Sequence, residues 1–461
     1  MPTYEELPER LGGLERVPTG IEGLDPLIEG GFPKGSLILL AGTPGTGKTV
    51  FGFKFLLHGA SELGDPSLLV SFGEGKENII ENMAYHLNCS RDDLNCVEVL
   101  DFVTVKDTGI DSLMETIVEK IDSLNARRLV IDPFSAMAYA FKEKIEVRIL
   151  VHIISKLIKQ TGCTTILISE TPLGSESLGA GAEEFVADGV IRLRRKIMDG
   201  RVFREMDIIK MRGTRLKRHR YLFTLERGFR VFPQFTFRRT WVKREFAPLP
   251  DIGSYYSSGS GDLDELLGGG WPRGSVNILE AEADVDLDAY RSIISITGLN
   301  FVTKGRRFLT YDPLRFGTEH LKEYLEPFVG EEEFNRLVRC LPTSPSEPRT
   351  LKEALSEASA YIFLSLDALT YNYGESQALR TLLSVIEGVR QKGGLILLGT
   401  LDGEPQPKHV RALSTIANIH LKVAEMDGVA LIYGVKPKTG YYVMEVEPSK
   451  GFPELRLTPI L

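Results

Sequence analysis

The stretch that decides the fold of this chain is Gly42-Thr43-Pro44-Gly45-Thr46-Gly47-Lys48-Thr49, which contains the complete pattern GxxxxGK[ST]. It follows an apolar run at 37–41 and precedes a segment, 49–62, with helical apolar spacing. In a strand–loop–helix context, glycine-rich backbone wraps phosphate with its N–H groups at the positive end of the helix. A chance glycine-rich turn does not account for this context, so the pattern predicts a nucleoside triphosphate site.

Two side chains of the loop have specific predicted roles. Lys48 is expected to reach the β- and γ-phosphate oxygens, and the Thr49 hydroxyl is expected to ligate Mg²⁺. The predicted cofactors are therefore ATP and Mg²⁺. The residues expected to bind the nucleotide here are Gly42, Thr43, Pro44, Gly45, Thr46, Gly47, Lys48, Thr49 and Val50.

Length and composition limit the class of protein. A chain of 461 residues is too long for one ordinary core, and 43% hydrophobic with 26% charged residues is typical of a globular protein. The net charge of -8 tells against a general nucleic-acid or anionic-membrane binder. The four cysteines lack metal-ligand spacing, and no apolar run approaches the ~18 residues of a membrane helix. With no apolar leader visible in residues 1–10, we expect a cytoplasmic protein with no membrane contact.

The second half of the chain repeats the first. Residues 17–36 align without a gap with residues 256–275, at a constant offset of 239. The same offset is expected to continue to the next strand, where 69–72 would match 308–311. A repeat of this length predicts tandem domains. The predicted divisions are an N-terminal extension 1–13, a first domain 14–245, a Pro-containing linker 246–253 and a second domain 254–461.

Each half alternates apolar strands with helical segments, which predicts an α/β fold with a mostly parallel sheet covered by helices on both faces. Beyond residue 185 the pattern becomes strand-like, as in an antiparallel extension. The predicted elements of the first half are strands 37–41, 68–72, 128–132 and 164–169, helices 49–62, 76–87, 111–124 and 145–160, and extension strands 189–194, 205–210 and 221–225.

The second half lacks the phosphate loop. At the same offset, residues 42–49 correspond to 281–288, which read Ala-Glu-Ala-Asp-Val-Asp-Leu-Asp. These carboxylates would repel a triphosphate, which needs N–H donors and a cation. An acidic Ca²⁺ or Mg²⁺ site is the alternative, although no glycine-turned loop gathers the carboxylates. The second domain is therefore not expected to bind ATP in the usual way.

Hydrolysis needs further groups outside the loop. Asp132 ends the apolar run 128–132 and is predicted to ligate Mg²⁺, although an acid at a strand end also caps turns. Glu74 follows the preceding strand and is the predicted base that orients water. The alternative is that Glu74 is a solvated residue opening a helix, with Glu77 as an equally suitable cap.

A basic cluster at 210–220 provides the last candidates. A run of charge is usually a solvated hairpin tip. Lys210 and Arg212, however, end an alternating strand on one face and have no evident function within their own subunit. Both are therefore predicted to reach the γ-phosphate on a neighbouring subunit, where a trans-acting arginine raises turnover.

Together these residues resemble the KaiC-like branch of the RecA superfamily. The likeness rests on the loop and on the motifs at 18–25, 31–35, 169–171, 181–188 and 210–214. It implies two tandem RecA-like domains in a homohexameric ring, ATP at the subunit interfaces and slow ATPase activity. It also implies that Lys210 and Arg212 contact the neighbour's ATP and that Thr214 lines the same pocket.

Two departures from the family modify the expected function. The family usually has two adjacent glutamates where this chain has Gly73 and Glu74, which predicts slow or impaired hydrolysis. The absent loop at 281–288 argues against self-phosphorylation by the second domain. We expect a ring acting as a regulatory or signalling scaffold, of which a gas-vesicle-regulator-like protein is one form, with an unknown regulatory protein partner.

The alternatives are a RecA/RadA-like DNA recombination or repair ATPase and a nucleotide switch without turnover. DNA loops in such rings need basic and aromatic residues, whereas 172–184 is glycine-rich and acidic. That composition tells against nucleic acid, although the basic run 212–220 is in its favour.

Overall fold

The computed structural model describes residues 14–102, 110–138, 144–172, 183–237, 246–312, 317–341, 361–401, 408–447 and 452–461. The chain forms two compact units, one of Met1–Pro233 with Ile460–Leu461 and one of Gln234–Pro459. The predicted extension 1–13 and the segment 173–182 lie outside the described residues. The boundary between the units precedes 246–253, and the role of that segment as a linker stays a prediction.

The first unit follows the predicted alternation. Its strands are β1 Arg16–Val17, β2 Phe32–Pro33, β3 Leu37–Gly42, β4 Ser67–Ser71, β5 Glu98–Asp101, β6 Arg128–Asp132, β7 Thr164–Glu170, β8 Gly189–Met198, β9 Arg201–Met211, β10 Arg220–Thr224 and β11 Arg230–Val231. Its α-helices are α1 Lys48–His58, α2 Lys76–Leu87, α3 Arg91–Leu94, α4 Ile110–Leu124, α5 Phe134–Ala138, α6 Lys144–Thr161 and α7 Glu183–Val186. A 3₁₀ turn forms at Asp25–Ile28, and a π-helical turn at Gly59–Leu63 extends α1.

Nine strands of this unit form one sheet in the order β11-β10-β9-β8-β3-β7-β6-β4-β5. The strands β8, β3, β7, β6, β4 and β5 are parallel to one another, and β9, β10 and β11 continue the sheet from β8 in antiparallel pairs. The predicted α/β class and the antiparallel extension are therefore confirmed. The sheet also contains β5, which the sequence patterns did not indicate.

Strand β3 is buried throughout because both faces of the sheet are covered. Leu37 and Leu39 pack in the cluster that includes Val151 of α6, whereas Ile38 and Leu40 pack in the cluster that includes Phe51 of α1. This alternation places the carboxyl end of β3 in the middle of a rigid layer. The loop that follows β3 therefore begins from a fixed position.

The second unit repeats this architecture. Its strands are β12 Tyr255–Tyr256, β13 Trp271–Pro272, β14 Ser275–Ala281, β15 Phe308–Tyr311, β16 Val338–Cys340, β17 Tyr361–Ser365, β18 Leu395–Leu401, β19 Ile419–Met426, β20 Val429–Lys436, β21 Tyr441–Glu447 and β22 Glu454–Pro459. Its helices are α8 Gly261–Leu266, α9 Leu287–Val302, α10 Thr318–Val329, α11 Glu331–Leu337, α12 Leu366–Tyr373, α13 Glu375–Gln391 and α14 Lys408–Ile416. Its sheet order is β22-β21-β20-β19-β14-β18-β17-β15-β16. Written from this edge, it matches the order of the first unit strand for strand, with β14 in the place of β3.

Strand pairing relates the two units residue by residue. Leu37 of β3 pairs with Thr165 of β7, and Val276 of β14 pairs with Ile396 of β18. Leu37 and Val276 thus hold the same place on the two central strands, which agrees with the offset of 239. On the next strand, however, Leu68 corresponds to Leu309, an offset of 241. The expected match of 69–72 with 308–311 is therefore wrong by two residues. The extra residues lie in the turn that joins α9 to β15.

Among the residues that the structure describes, none of the helices combines the length and the hydrophobicity that a membrane-spanning segment needs.

Candidate nucleotide site

The loop between β3 and α1 has the backbone that its glycines predict. Gly45 and Gly47 have φ angles of 75° and 95°, in the left-handed region that favours glycine. Gly47 also lies against Leu225, where a Cβ atom would come within 2.7 Å of the leucine Cδ2. The positive φ angle therefore favours glycine at position 47, immediately before the first residue of the helix, and a Cβ atom there would also force the Leu225 side chain to move.

Lys48 is folded back into the loop. Its Nζ donates to the carbonyl oxygens of Gly42 at 2.9 Å and Thr43 at 3.0 Å. Burial lowers the pKa of Lys48, while the charges of Glu170 and Asp132 act in the opposite direction. The amine is thus held among carbonyl and carboxylate oxygens, and a phosphate group would replace the loop carbonyls as its partner.

Asp132, at the carboxyl end of β6, lies close enough to Thr49 for the hydroxyl to favour the ionised form of its carboxylate. Burial raises the pKa of Asp132 to about 6, which Thr49 and Lys48 oppose and which the charges of Glu170 and Glu74 reinforce. The structure therefore brings together the two predicted Mg²⁺ ligands. A carboxylate and a hydroxyl are hard oxygen donors, as Mg²⁺ requires when phosphates and water complete its shell.

Glu170 belongs to the same site, although the sequence patterns did not select it as a functional residue. It ends β7, its backbone N–H donates to Ser135 Oγ at 3.2 Å, and its charge acts on both Lys48 and Asp132. The available signal was its place at the end of an apolar strand, the same signal that selected Asp132. Strand order decides its position, because β7 lies between β3 and β6.

Glu74 lies in the exposed turn after β4. Its Oε2 accepts from Asn82 Nδ2 at 3.0 Å, and its backbone N–H donates to Ser71 Oγ at 3.2 Å. Its charge contributes to the raised pKa of Asp132, so the two carboxylates are close enough to interact. Glu77 is instead in the first turn of α2. The structure thus brings Glu74 to this edge of the sheet, and its role as a base stays a prediction.

Arg204 is a second contact that the sequence patterns missed. It lies on β9, and its Nη1 donates to the carbonyl oxygen of Gly45 at 3.2 Å. Burial lowers the pKa of Arg204 to about 10, and the charge of Arg195 adds to this shift. The antiparallel extension therefore supports the loop from the side opposite β7.

Lys210 and Arg212 lie where β9 turns toward β10. Lys210 Nζ donates to the carbonyl oxygen of Glu184 at 3.0 Å, and Arg212 Nη1 lies 2.9 Å from Asp188 Oδ1. Both cations thus have partners in their own unit, contrary to the expectation from the sequence. The Arg212 side chain is still 57% exposed, so its guanidinium retains donors for a further contact.

The equivalent positions in the second unit have lost this chemistry. Ser365 stands at the register position of Asp132 and caps α12 through Ala368 N at 3.2 Å. Leu401 stands at the position of Glu170. Across the described residues there is no group of three or more His, Cys, Asp or Glu side chains that could hold a metal ion.

The basic residues of the antiparallel extension are partly neutralised. Asp207 accepts from Arg192 Nη2 at 3.0 Å and Arg220 Nε at 2.9 Å, and it also pairs with Arg194. Glu205 lies 2.8 Å from Lys196 Nζ. In the run 212–220, on which the alternative of a DNA-binding ATPase depends, Arg212 and Arg220 are paired with carboxylates in this way.

A glycine-rich loop at the carboxyl edge of a parallel sheet, with Lys48, Thr49 and Asp132 together, defines a P-loop nucleotide-binding protein. The sequence profile of the family described as "ATPase: KaiC" matches residues 17–234. A UPF0273 protein of Pyrococcus furiosus is 31% identical over 244 residues, which cover 49% of this chain and 97% of that protein. The chain belongs to the KaiC-like family of ATPases.

Two circadian clock proteins are also similar. The oscillator protein KaiC of Thermostichus vulcanus is 31% identical over 288 residues, which cover 60% of this chain and 54% of that protein. KaiC2 of Synechocystis is 32% identical over 283 residues, which cover 59% of this chain and 48% of that protein. The chain thus spans about half the length of these relatives.

Proposed function

We propose that the first unit binds ATP with Mg²⁺ and hydrolyses it slowly. The observation that carries this proposal is the convergence of Lys48, Thr49, Asp132 and Glu170 beside one glycine-rich loop. Lys48 would neutralise the β- and γ-phosphates, and the loop N–H groups would hold them. Thr49 and Asp132 would hold Mg²⁺, which supplies neutralisation of the charge that develops on the phosphate oxygens.

Glu74 is the residue that would orient the attacking water. Its carboxylate is exposed, and Asn82 fixes one oxygen. A base in this position accepts a proton from water as the bond to phosphorus forms. Because Gly73 supplies no second carboxylate beside it, turnover would be low. A nucleotide switch without turnover is the second candidate, and a phosphate-release assay with Mg²⁺ and ATP separates the two.

We further propose that the chain assembles as a homo-oligomeric ring, a hexamer, in which Lys210, Arg212 and Thr214 of one copy complete the ATP site of the next. The exposed guanidinium of Arg212 supports this arrangement, because it retains donors beyond its contact with Asp188. ATP would then bridge two copies, so that binding and assembly are thermodynamically linked. Such a ring would act as a cytoplasmic regulatory scaffold with a protein partner, not as a DNA-repair ATPase.

Mixing two inactive variants tests the shared site. Lys48→Ala removes the cation of the loop, and Arg212→Ala removes the proposed contribution from the neighbour. Mixed rings contain some interfaces with an intact loop and an intact arginine, so ATPase activity should reappear on mixing. If subunits exchange and activity never exceeds that of the separate variants, Arg212 acts within its own chain and the proposed interface is wrong.

A further inference from the structure

The second unit retains the basic turn of the first, although it has lost the phosphate loop. The pairing of β8 with β9 shifts register after Val190, which is opposite Lys210. The pairing of β19 with β20 shifts at the same place, after His420, which is opposite Lys436. The shared irregularity makes Lys436 the equivalent of Lys210. The turn 436–440, Lys-Pro-Lys-Thr-Gly, therefore corresponds to 210–214, Lys-Met-Arg-Gly-Thr.

The two turns are anchored in the same way at their first lysine. Lys210 donates to a carbonyl oxygen of α7, the helix that precedes β8. Lys436 Nζ donates to the carbonyl oxygens of Thr415, in the corresponding helix α14, at 3.4 Å, and of Ala417 at 2.5 Å. The first lysine therefore secures the turn in both units, and the second cation is the one that can be presented to a partner.

In the second unit the second cation of the turn is Lys438, and the carboxylate that pairs with its equivalent, Arg212, is absent there. Asn418 is the equivalent of Asp188, the residue that pairs with Arg212 in the first unit. The backbone N–H of Leu37 donates to Asp188, and the backbone N–H of Val276, the equivalent of Leu37, donates to Asn418. An amide cannot form an ion pair with the lysine at position 438. Lys438 is exposed and makes no ion pair within the part of the chain that the structure describes.

The segment 281–288, which replaces the phosphate loop in the second unit, is acidic, whereas the turn 436–440 is basic. Asp286 caps α9 by accepting from Asp288 N at 2.8 Å, and Asp288 lies 3.2 Å from Arg291 Nη1. Asp284, in contrast, is exposed, and no ion pair is found for it among the described residues. Among the described residues, Lys438 and Asp284 thus form no ion pair. They stand at the positions that in the first unit belong to the turn 210–214 and to the phosphate loop.

We propose that Lys438 of one copy pairs with Asp284 of the next, so that the second units of a ring associate without nucleotide. This proposal rests on the proposed function, in which turn 210–214 reaches the loop of a neighbouring copy. The carboxylates of 282–288 would take the place of the triphosphate as the anionic partner of the turn. Charge complementarity between two surfaces of the same chain identifies the partner as a second copy.

Charge exchange in the full chain tests this pairing. Lys48→Ala is the background, so that no nucleotide contributes, and self-association is measured by sedimentation velocity without ATP. Lys438→Glu and Asp284→Lys should each weaken association by roughly tenfold, because like charges would then face each other. The double variant should restore association to nearly its original strength. Arg380→Glu, an exposed reversal on α13, is the matched control and should have little effect.

Each other outcome overturns the pairing. A monomeric background chain would mean that the second units do not associate without nucleotide. Weakening by both single reversals without rescue in the double variant would assign the turn and the acidic segment to different partners, such as a free anion or a basic peptide. The proposed function fails separately, if ATP promotes neither assembly nor phosphate release in the chain with Lys48 intact.

Discussion

Arg16 and Thr214 are joined by a hydrogen bond of 2.6 Å from the guanidinium Nη1 to the hydroxyl Oγ1. The same guanidinium donates through Nη2 to the Gly213 carbonyl oxygen at 2.5 Å and to Glu29 Oε2 at 2.9 Å. A residue at the start of the first unit therefore holds the far turn that contains Arg212. The planar fork of arginine makes these contacts simultaneously, which a single ammonium group cannot do.

Arg16→Lys should therefore lower turnover without removing the nucleotide site. The lysine keeps a charge beside Glu29 but cannot hold both Gly213 and Thr214, so the turn would lose this anchor and Arg212 would keep only its contacts with Asp188. If Arg212 contributes to the ATP site of a neighbouring copy as proposed, a displaced turn should lower turnover by roughly tenfold. Steady-state phosphate release gives the rate, and a fluorescent ATP analogue should still bind, because Lys48 and the loop 42–49 are unchanged.

Lys34→Ala is the matched control for this experiment, because Lys34 forms an exposed ion pair with Glu15 at 2.6 Å in the same region. Exposed pairs contribute little, so its turnover should stay close to that of the original chain. Equal activity in the Arg16→Lys chain and the original would mean that the turn does not depend on this contact.

Nucleotide binding should be confined to the first unit. Calorimetry on the full chain should give one ATP per chain, and Lys48→Ala should abolish binding, because it removes the cation that neutralises the phosphates in this loop. The second unit has Ala281–Asp288 in place of that loop and Ser365 in place of Asp132. Stoichiometric binding that survives in the Lys48→Ala chain would contradict the prediction and assign a site to the second unit.

Glu74→Gln should separate binding from hydrolysis. The amide keeps the shape of the side chain and can still contact Asn82, but it cannot accept a proton from water. Turnover should therefore fall by roughly a hundredfold, while ATP affinity is maintained. The comparison is Glu77→Gln, an equally exposed carboxylate in the first turn of α2. A larger loss in the Glu77 variant would transfer the role of base to that residue.

Local chemistry explains what the sequence could predict. The loop 42–49, strand β3 and helix α1 follow from glycine spacing and apolar periodicity, and helix 76–87 was predicted with the bounds that α2 has. Asp132 was found because an acid at the end of a buried strand is itself a local signal. The domain repeat was visible because its first residues align without a gap.

Contacts between distant parts of the chain explain what the sequence could not predict. Glu170 enters the site because β7 lies beside β3, and Arg204 reaches Gly45 because the sheet extends through β9. The contact of Arg204 follows from no pattern within a short window, and the place of Glu170 at the end of an apolar strand does not by itself show which strands lie beside it. The offset of 239 also fails after α9, where two extra residues change the alignment without disturbing any periodicity.

Arg128 should be the main stabilising cation of the first unit. It is fully buried, and its guanidinium donates to Asp65 Oδ2 at 3.0 Å and to the carbonyl oxygens of Pro18 at 2.8 Å and Phe55 at 2.9 Å. Arg128→Met would leave the buried Phe55 carbonyl oxygen without this donor, and the partly exposed Asp65 carboxylate would lose its ion-pair partner. We expect the free energy of unfolding to fall by about 3–5 kcal/mol, measured by urea denaturation.

The neighbouring Arg127→Met is the control for this substitution, because Arg127 is exposed and should be tolerated. Gly59 gives a second test of the same contact. A Cβ atom there would lie 2.2 Å from Arg128 Nε, so Gly59→Ala should also destabilise the unit. Similar stability in the Arg127 and Arg128 variants would show that the buried guanidinium is dispensable.

Asp132 should make the stability of the nucleotide-free protein depend on pH. Burial raises its pKa to about 6, above the value of about 3.9 expected in an unfolded chain. Between these values the folded state retains a proton that the unfolded state has lost, so the free energy of unfolding falls as pH rises. Asp132→Asn removes this titration. Relative to the original chain, it should gain about 1–2 kcal/mol between pH 4.5 and pH 7.

Urea denaturation without Mg²⁺ or nucleotide, at the two pH values, measures this difference. Other titrating groups act on both chains and cancel in the comparison, apart from Glu170 and Glu74, whose charges are coupled to that of Asp132. Glu77→Gln, which alters an exposed carboxylate, should leave the pH dependence unchanged. If the Asp132→Asn and original chains lose stability in parallel from pH 4.5 to pH 7, Asp132 is already ionised at the lower pH. The carboxylate would then be available to Mg²⁺ throughout that range.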